Sequence, residues 1–144
     1  MNIENKKILV TGGTGFLGTR IVAKLKRIGC KHIIAPTRKE FDLTKIDDII
    51  RLYKKRTPDI VIHLAAVVGG IGANIASPGQ FFYDNAIMGL ELIEYARCYN
   101  VQKFVSIGTI CAYPKYTPIP FTQFVLLYIY STYITIGYLS SSGI

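Results

Sequence analysis

At 144 residues the chain has room for one domain and one sizeable core. Half of its residues are hydrophobic and 18% are charged, which excludes a disordered, collagen-like or coiled-coil polypeptide. Lysine and arginine outnumber aspartate and glutamate by 17 to 9, a formal net charge of +8, yet residues 116–144 carry no charged side chain.

The opening residues hold a basic pair, Lys6 and Lys7, and an apolar run that stops at Thr11, too short for a signal-peptide core. Residues 6–11 read instead as a buried strand entering a glycine-rich turn. Leu17, Ile21, Val22, Leu25 and Ile28 then recur at helical spacing, with Gly29 as the stop. A second strand is expected over residues 32–37. A second helix follows through Ile46, Ile49, Ile50 and Tyr53, capped by Asp42 or Thr44, with Lys54, Lys55 and Arg56 at the negative end of its dipole. Residues 59–66 form a third apolar strand, and residues 67–76 a glycine-rich loop. Ser77 and Pro78 are expected to open a long helix to about Asn100, before a fourth strand at residues 103–108. The β-α-β-α-β-α-β alternation with apolar strands predicts an α/β fold, a Rossmann-like doubly wound parallel sheet covered on both faces.

The dispersed cations lack interleaved aromatics, so solvated helix faces are favoured over a nucleic-acid site. Cys30, Cys98 and Cys111 are too scattered for a disulfide framework, and with the isolated His32 and His63 they form no metal site. A reduced, cytoplasmic setting is the expectation.

The first strand runs into Gly12-Gly13-Thr14-Gly15-Phe16-Leu17-Gly18. Glycines at 12, 15 and 18 allow the turn, the approach of backbone to a pyrophosphate, and close helix–strand packing. The helix N-terminus offers free N–H groups to the phosphates. Between the first strand and first helix of a βαβ unit, this pattern points to a dinucleotide. An acid at the end of the second strand would bind the ribose hydroxyl of NAD; the sequence has Thr37-Arg38-Lys39 instead. Arginine forks a 2′-phosphate well, so NADP is favoured over NAD.

Residues 11–18 resemble the TGxxGFxG signature of extended short-chain dehydrogenases/reductases. Within that branch, the HLAA run at residues 63–66 resembles the loop beside the cofactor ribose, which implies contacts from Ala65 and Ala66. Asp42 and Leu43 resemble its adenine-contacting pair, and Asn85 with Gly89 its N-x-x-x-G helix motif. VGGIGAN at residues 68–74 and CAYPKYTPIPF at residues 111–121 are similar to segments of the GDP-L-fucose synthase family. That family epimerises GDP-4-keto-6-deoxymannose at C3 and C5 and reduces its C4 ketone with NADPH; its members are homodimers.

By that resemblance Thr109 stands where the family has a catalytic hydroxyl for the C4 oxygen, and Cys111 where it has the epimerisation cysteine. Both follow the fourth strand, on the side where open α/β sheets bind ligands. His63 reads as a strand-end packing residue rather than an acid or base.

The match ends near Phe121, which divides the chain into a cofactor-binding part at residues 1–121 and a tail at residues 122–144. The family continues with a Tyr-x-x-x-Lys pair, but no lysine follows Lys115, so Tyr128, Tyr130, Tyr133 and Tyr138 cannot belong to one. A tyrosine without that cation titrates near ten, and this chain is expected not to complete the reaction alone. The uncharged tail, lacking flanking cations, is expected to reflect truncation or a frameshift rather than a membrane anchor.

Overall fold

A computed structural model describes residues 2–108, and the fold below lies in one unit, Met1–Ser106. Thr109, Cys111, the boundary at 121/122 and the tail fall outside the described residues.

The elements run β1 (Lys7–Thr11), α1 (Phe16–Arg27), β2 (His32–Ile34), α2 (Ile46–Arg56), β3 (Ile60–His63), α3 (Ile71–Ala76), α4 (Pro78–Cys98) and β4 (Lys103–Ser106). The four strands form one parallel sheet in the order β2-β1-β3-β4. The chain winds outward from β1 to β2, then crosses back to place β3 on the other side of β1. That reversal opens a crevice at the C-terminal ends of β1 and β3, where doubly wound sheets take their ligands.

Alternate strand residues serve opposite faces, and each face has its own helices. Leu9 and Val61 pack with Ile49, Leu52 and Tyr53 of α2 and Met88, Leu92 and Ala96 of α4. Ile8, Val10 and Ile60 face the other way, toward Leu25 of α1 and Cys30. The central strands are therefore buried on both sides, which is why they read as continuous apolar runs. On the α2/α4 side the Tyr53 hydroxyl donates to the Leu92 carbonyl at 2.7 Å, satisfying the buried phenol and tying the two helices together.

Helix ends follow local chemistry. Gly29, at φ +90°, closes α1 in a Schellman motif: its N–H reaches the Lys26 carbonyl and that of Cys30 the Leu25 carbonyl. Asn100 does the same for α4, with Val101 bonded to Ala96. α2 carries Asp47 and Asp48 in its first turn and Lys54, Lys55 and Arg56 in its last, both favourable to the dipole.

Three expectations need correction. The N-cap of α2 is Lys45, with no side-chain cap bond, rather than Asp42 or Thr44. Asp42 Oδ1 is already engaged by the N–H and hydroxyl of Thr44, while Asp48 reaches back to the Asp42 N–H. Ser77 does sit at the N-cap of α4 with Pro78 behind it, but it also terminates α3 and makes no side-chain cap bond. Residues 71–76 form the short helix α3 rather than a loop. Asn74 Nδ2 donates to the Gly69 and Gly70 carbonyls at its N-terminus, and no α3 residue is buried. The second and third strands are also shorter than expected, ending at Ile34 and His63 where the chain leaves the sheet to line the crevice.

Candidate functional site

The crevice at the β1/β3 reversal encloses about 370 Å³. Its floor and near wall are the turn after β1, its far wall the segment after β2, and its third side the chain leaving β3. Gly12, Thr14, Gly15, Phe16, Leu17 and Gly18 come from the first, and Thr37, Arg38, Asp42 and Leu43 from the second. Ala65 and Ala66 come from the third, with Met88 of α4 behind them. Eleven of the residues expected to bind cofactor, from Gly12 to Ala66, thus line one concave surface.

The glycines that matter most are Gly12 and Gly18. Gly12 holds φ +67°, and a Cβ there would lie 2.7 Å from the Ala65 nitrogen and 2.8 Å from the Leu64 carbonyl carbon. A Cβ on Gly18 would stand 2.1 Å from the Gly12 carbonyl oxygen, so α1 begins this close to the turn only because residue 18 lacks one. Glycine 15 is the N-cap of α1, which has no acidic residue in its first turn. The positive end of the helix dipole is therefore uncancelled where it meets the crevice.

The far wall is pinned from behind. Glu40 accepts the N–H and hydroxyl of Thr37 at 2.8 and 3.1 Å. Arg51 of α2 donates to the Glu40 carbonyl at 2.8 Å and to Asp48 at 2.7 Å, with its guanidinium 4.6 Å from the centre of the Phe41 ring. Arg38 stands on the rim, its side chain 71% exposed and its Nε 3.6 Å from Asp42 Oδ1. The Thr44 hydroxyl, then its N–H, and then the Arg38 charge hold the Asp42 carboxyl below its ordinary value.

Two of the sequence-derived residues are placed off the lining. Gly13 packs against the chain just after β2, where a Cβ would meet that of Ala35 at 2.7 Å. Asn85 lies on α4 and clamps the third side: its Oδ1 accepts the Val67 N–H at 2.8 Å, and its Nδ2 donates to the Val67 and Phe81 carbonyls at 2.9 and 2.8 Å. Sequence reasoning missed Pro36, Phe41, Thr44, Leu64, Val67, Val68 and Met88 as lining residues. It also passed over Thr11, which is fully buried beneath the turn and bonded to His63. Among the described residues no group of His, Cys, Asp and Glu could hold a metal, and no helix is long and apolar enough to cross a membrane.

Comparison with known proteins agrees with this geometry. GDP-L-fucose synthase of Azorhizobium caulinodans is 39% identical over 111 residues, covering 77% of this chain and 35% of that protein. GDP-L-colitose synthase of Yersinia pseudotuberculosis is 39% identical over 109 residues, covering 76% and 35%. The chain thus spans about a third of the length of these curated relatives. Among solved structures, a GDP-mannoheptose C4 reductase from Campylobacter jejuni with NADP bound superposes with a TM-score of 0.81 at 29% identity, covering 89% of this chain and 40% of that one. A GDP-L-fucose synthetase from Naegleria fowleri bound to NADP gives 0.72 at 29% identity, covering 88% and 37%. The model of the NAD dependent epimerase/dehydratase family matches residues 8–135, taking in the glycine turn, the far wall and the chain leaving β3. A doubly wound parallel sheet, a crevice at its strand reversal and a family pattern running through both have one reading: the chain belongs to the NAD dependent epimerase/dehydratase family.

Proposed function

We propose that this chain is the NADP-binding part of a nucleotide-sugar epimerase/reductase acting on a GDP-sugar. The observation that carries the reading is the crevice itself, where a turn without room for a Cβ at Gly12 or Gly18 faces a rim bearing Arg38. The pyrophosphate would lie on the free N–H groups of the first turn of α1, whose dipole favours it. Arg38 would take the 2′-phosphate, Asp42 and Leu43 the adenine, and Ala65 and Ala66 the ribose side. Gly13 and Asn85 support these surfaces from behind. When bound, NADPH supplies a hydride for a ketone carbon; what this chain supplies is binding, orientation and the shape of the pocket.

The GDP-sugar class rests on relatives and neighbours that share a GDP-sugar and differ in the sugar. The specific reaction proposed is 3,5-epimerisation and 4-reduction of GDP-4-keto-6-deoxymannose. In it Thr109 would hold the C4 oxygen and Cys111 would carry protons at the flanking carbons. An epimerase/dehydratase relative acting on another nucleotide sugar is the alternative, favoured by the equal identity to the colitose and fucose synthases. A second reading is a non-catalytic binding module, in which the crevice takes the dinucleotide without turnover. A cytoplasmic setting is proposed from the free thiols of Cys30 and Cys98.

Isothermal titration with NADPH and NADH, followed by an assay with GDP-4-keto-6-deoxymannose, separates these readings. Tighter binding of NADPH than NADH without turnover is the expected result. Turnover by the 144-residue chain would remove the need for a Tyr-x-x-x-Lys pair, and equal affinity for the two cofactors would overturn the role of Arg38.

A further inference from the structure

Thr11 and His63 are ladder partners at the C-terminal ends of β1 and β3, 52 positions apart in sequence. The Thr11 side chain is fully buried, and its Oγ1 lies 2.7 Å from His63 Nδ1. The same oxygen accepts the Leu64 N–H at 3.2 Å and the Ala65 N–H at 3.3 Å; Leu64 shares its hydrogen with the Thr11 carbonyl. A hydroxyl has one hydrogen to give and two lone pairs to offer. With both lone pairs turned to backbone N–H groups, its hydrogen has His63 Nδ1 as its acceptor. The imidazole is then the neutral tautomer that carries its proton on Nε2. The opposite tautomer would aim a third hydrogen at Oγ1 and strand the hydroxyl's own.

We infer that His63 is a positioning residue of the crevice, fixing the Thr11 hydroxyl so that it holds the backbone of Leu64 and Ala65 against the glycine turn. The next residue along β1 is Gly12, whose missing Cβ admits that same Leu64–Ala65 backbone. One hydroxyl thus sets the separation of two of the crevice's three sides, and the ring sets the hydroxyl. Burial keeps the ring neutral, with its pKa lowered to about 4, as an acceptor role at Nδ1 requires. The inference rests on the cofactor reading only for what fills the crevice.

The test uses the full chain. Long-range proton–nitrogen correlation should find His63 with Nε2 protonated and Nδ1 bare; a protonated Nδ1 overturns the inference whatever the variants do. His63→Leu removes the acceptor, whereas His63→Asn places an amide oxygen where Nδ1 stood. In the leucine variant the Ala65 amide should exchange about tenfold faster. NADPH should bind about fivefold more weakly, with the asparagine variant restoring both properties. Unchanged Ala65 exchange in His63→Leu, or failure of His63→Asn to restore it, overturns the positioning role. Should the unsubstituted chain fail to bind NADPH, the cofactor reading falls, while the tautomer and exchange measurements still decide the role of His63.

Discussion

Arg38 and His63 stand in two different relations to the crevice, one a charge at its rim and the other a half-buried ring behind Thr11. Arg38 is exposed and only loosely answered by Asp42, so its cost to the fold is small, and in the proposed function its value lies with an anionic ligand. Arg38→Ala should weaken NADPH binding about tenfold and leave NADH nearly unchanged, because only NADPH carries the 2′-phosphate. Titration of both cofactors against both proteins checks this, and parallel losses would place the phosphate elsewhere. His63 predicts a pH dependence. Its ordinary value is 6.5 and burial lowers it to about 4 in the fold. Between those values the unfolded chain binds the proton and the folded chain refuses it. The stability tied to neutral His63 is therefore complete above pH 6.5 and is lost as pH falls toward 4. The loss is on the order of 3 kcal/mol across that interval. Urea unfolding at several pH values should show His63→Asn with a flatter slope than the parent chain, after the carboxylates common to both are subtracted. Equal slopes would mean that the ring is solvated in the fold.

At the scale of elements, β1, α1, α2, α4 and the apolar strands were legible because their periodicity and their stops are local properties. Ile21, Val22 and Leu25 recur at helical spacing in α1, as Ile49 and Tyr53 do in α2, and Gly29 ends α1 where a stop was expected. The short helix α3 was not legible: six residues with none buried give no apolar stripe, and its organising contact, Asn74 to Gly69 and Gly70, resembles loop chemistry. The glycine turn announced itself by spacing. The Thr11–His63 joint did not, because only parallel pairing of β1 with β3 brings those residues together. The back of the far wall was equally hidden, since Arg51 sits on α2 and reads as one more solvated cation. It holds the Glu40 carbonyl, Asp48 and the Phe41 ring at once. Arg51→Ala should lower stability by about 1 kcal/mol and weaken NADPH binding several-fold, without any direct contact to the crevice. Arg51→Lys, which keeps the charge but loses the planar fork, should fall between the two. Thermal melts and titrations together read both effects, and an alanine variant with parental affinity would mean that the wall stands without Arg51.

At the scale of the molecule, three chain segments converge on the crevice from β1, β2 and β3, yet among the described residues few side chains bridge them. Thr11 bonds the first to the third, and Asn85 anchors the third to α4. The far wall is tied mainly to itself and to α2. A dinucleotide lying across all three segments would add the missing links between them, and it would do so only in the folded chain. Binding then stabilises the fold by mass action, by about 2.7 kcal/mol when free ligand stands at a hundred times its dissociation constant. Melts with increasing NADPH should rise steadily without a plateau, and NADH should need higher concentrations for the same rise. The chain's net charge of +8 adds a second dependence, since a polyanionic cofactor is drawn to a cation and salt screens that attraction. Raising salt should shrink the NADPH-induced shift more than the NADH-induced one, because in the proposed site the additional phosphate of NADPH would meet Arg38 at an exposed rim where screening is effective. If both shifts shrank alike, Arg38 would not be what distinguishes the cofactors, and discrimination would have to come from the shape of the far wall.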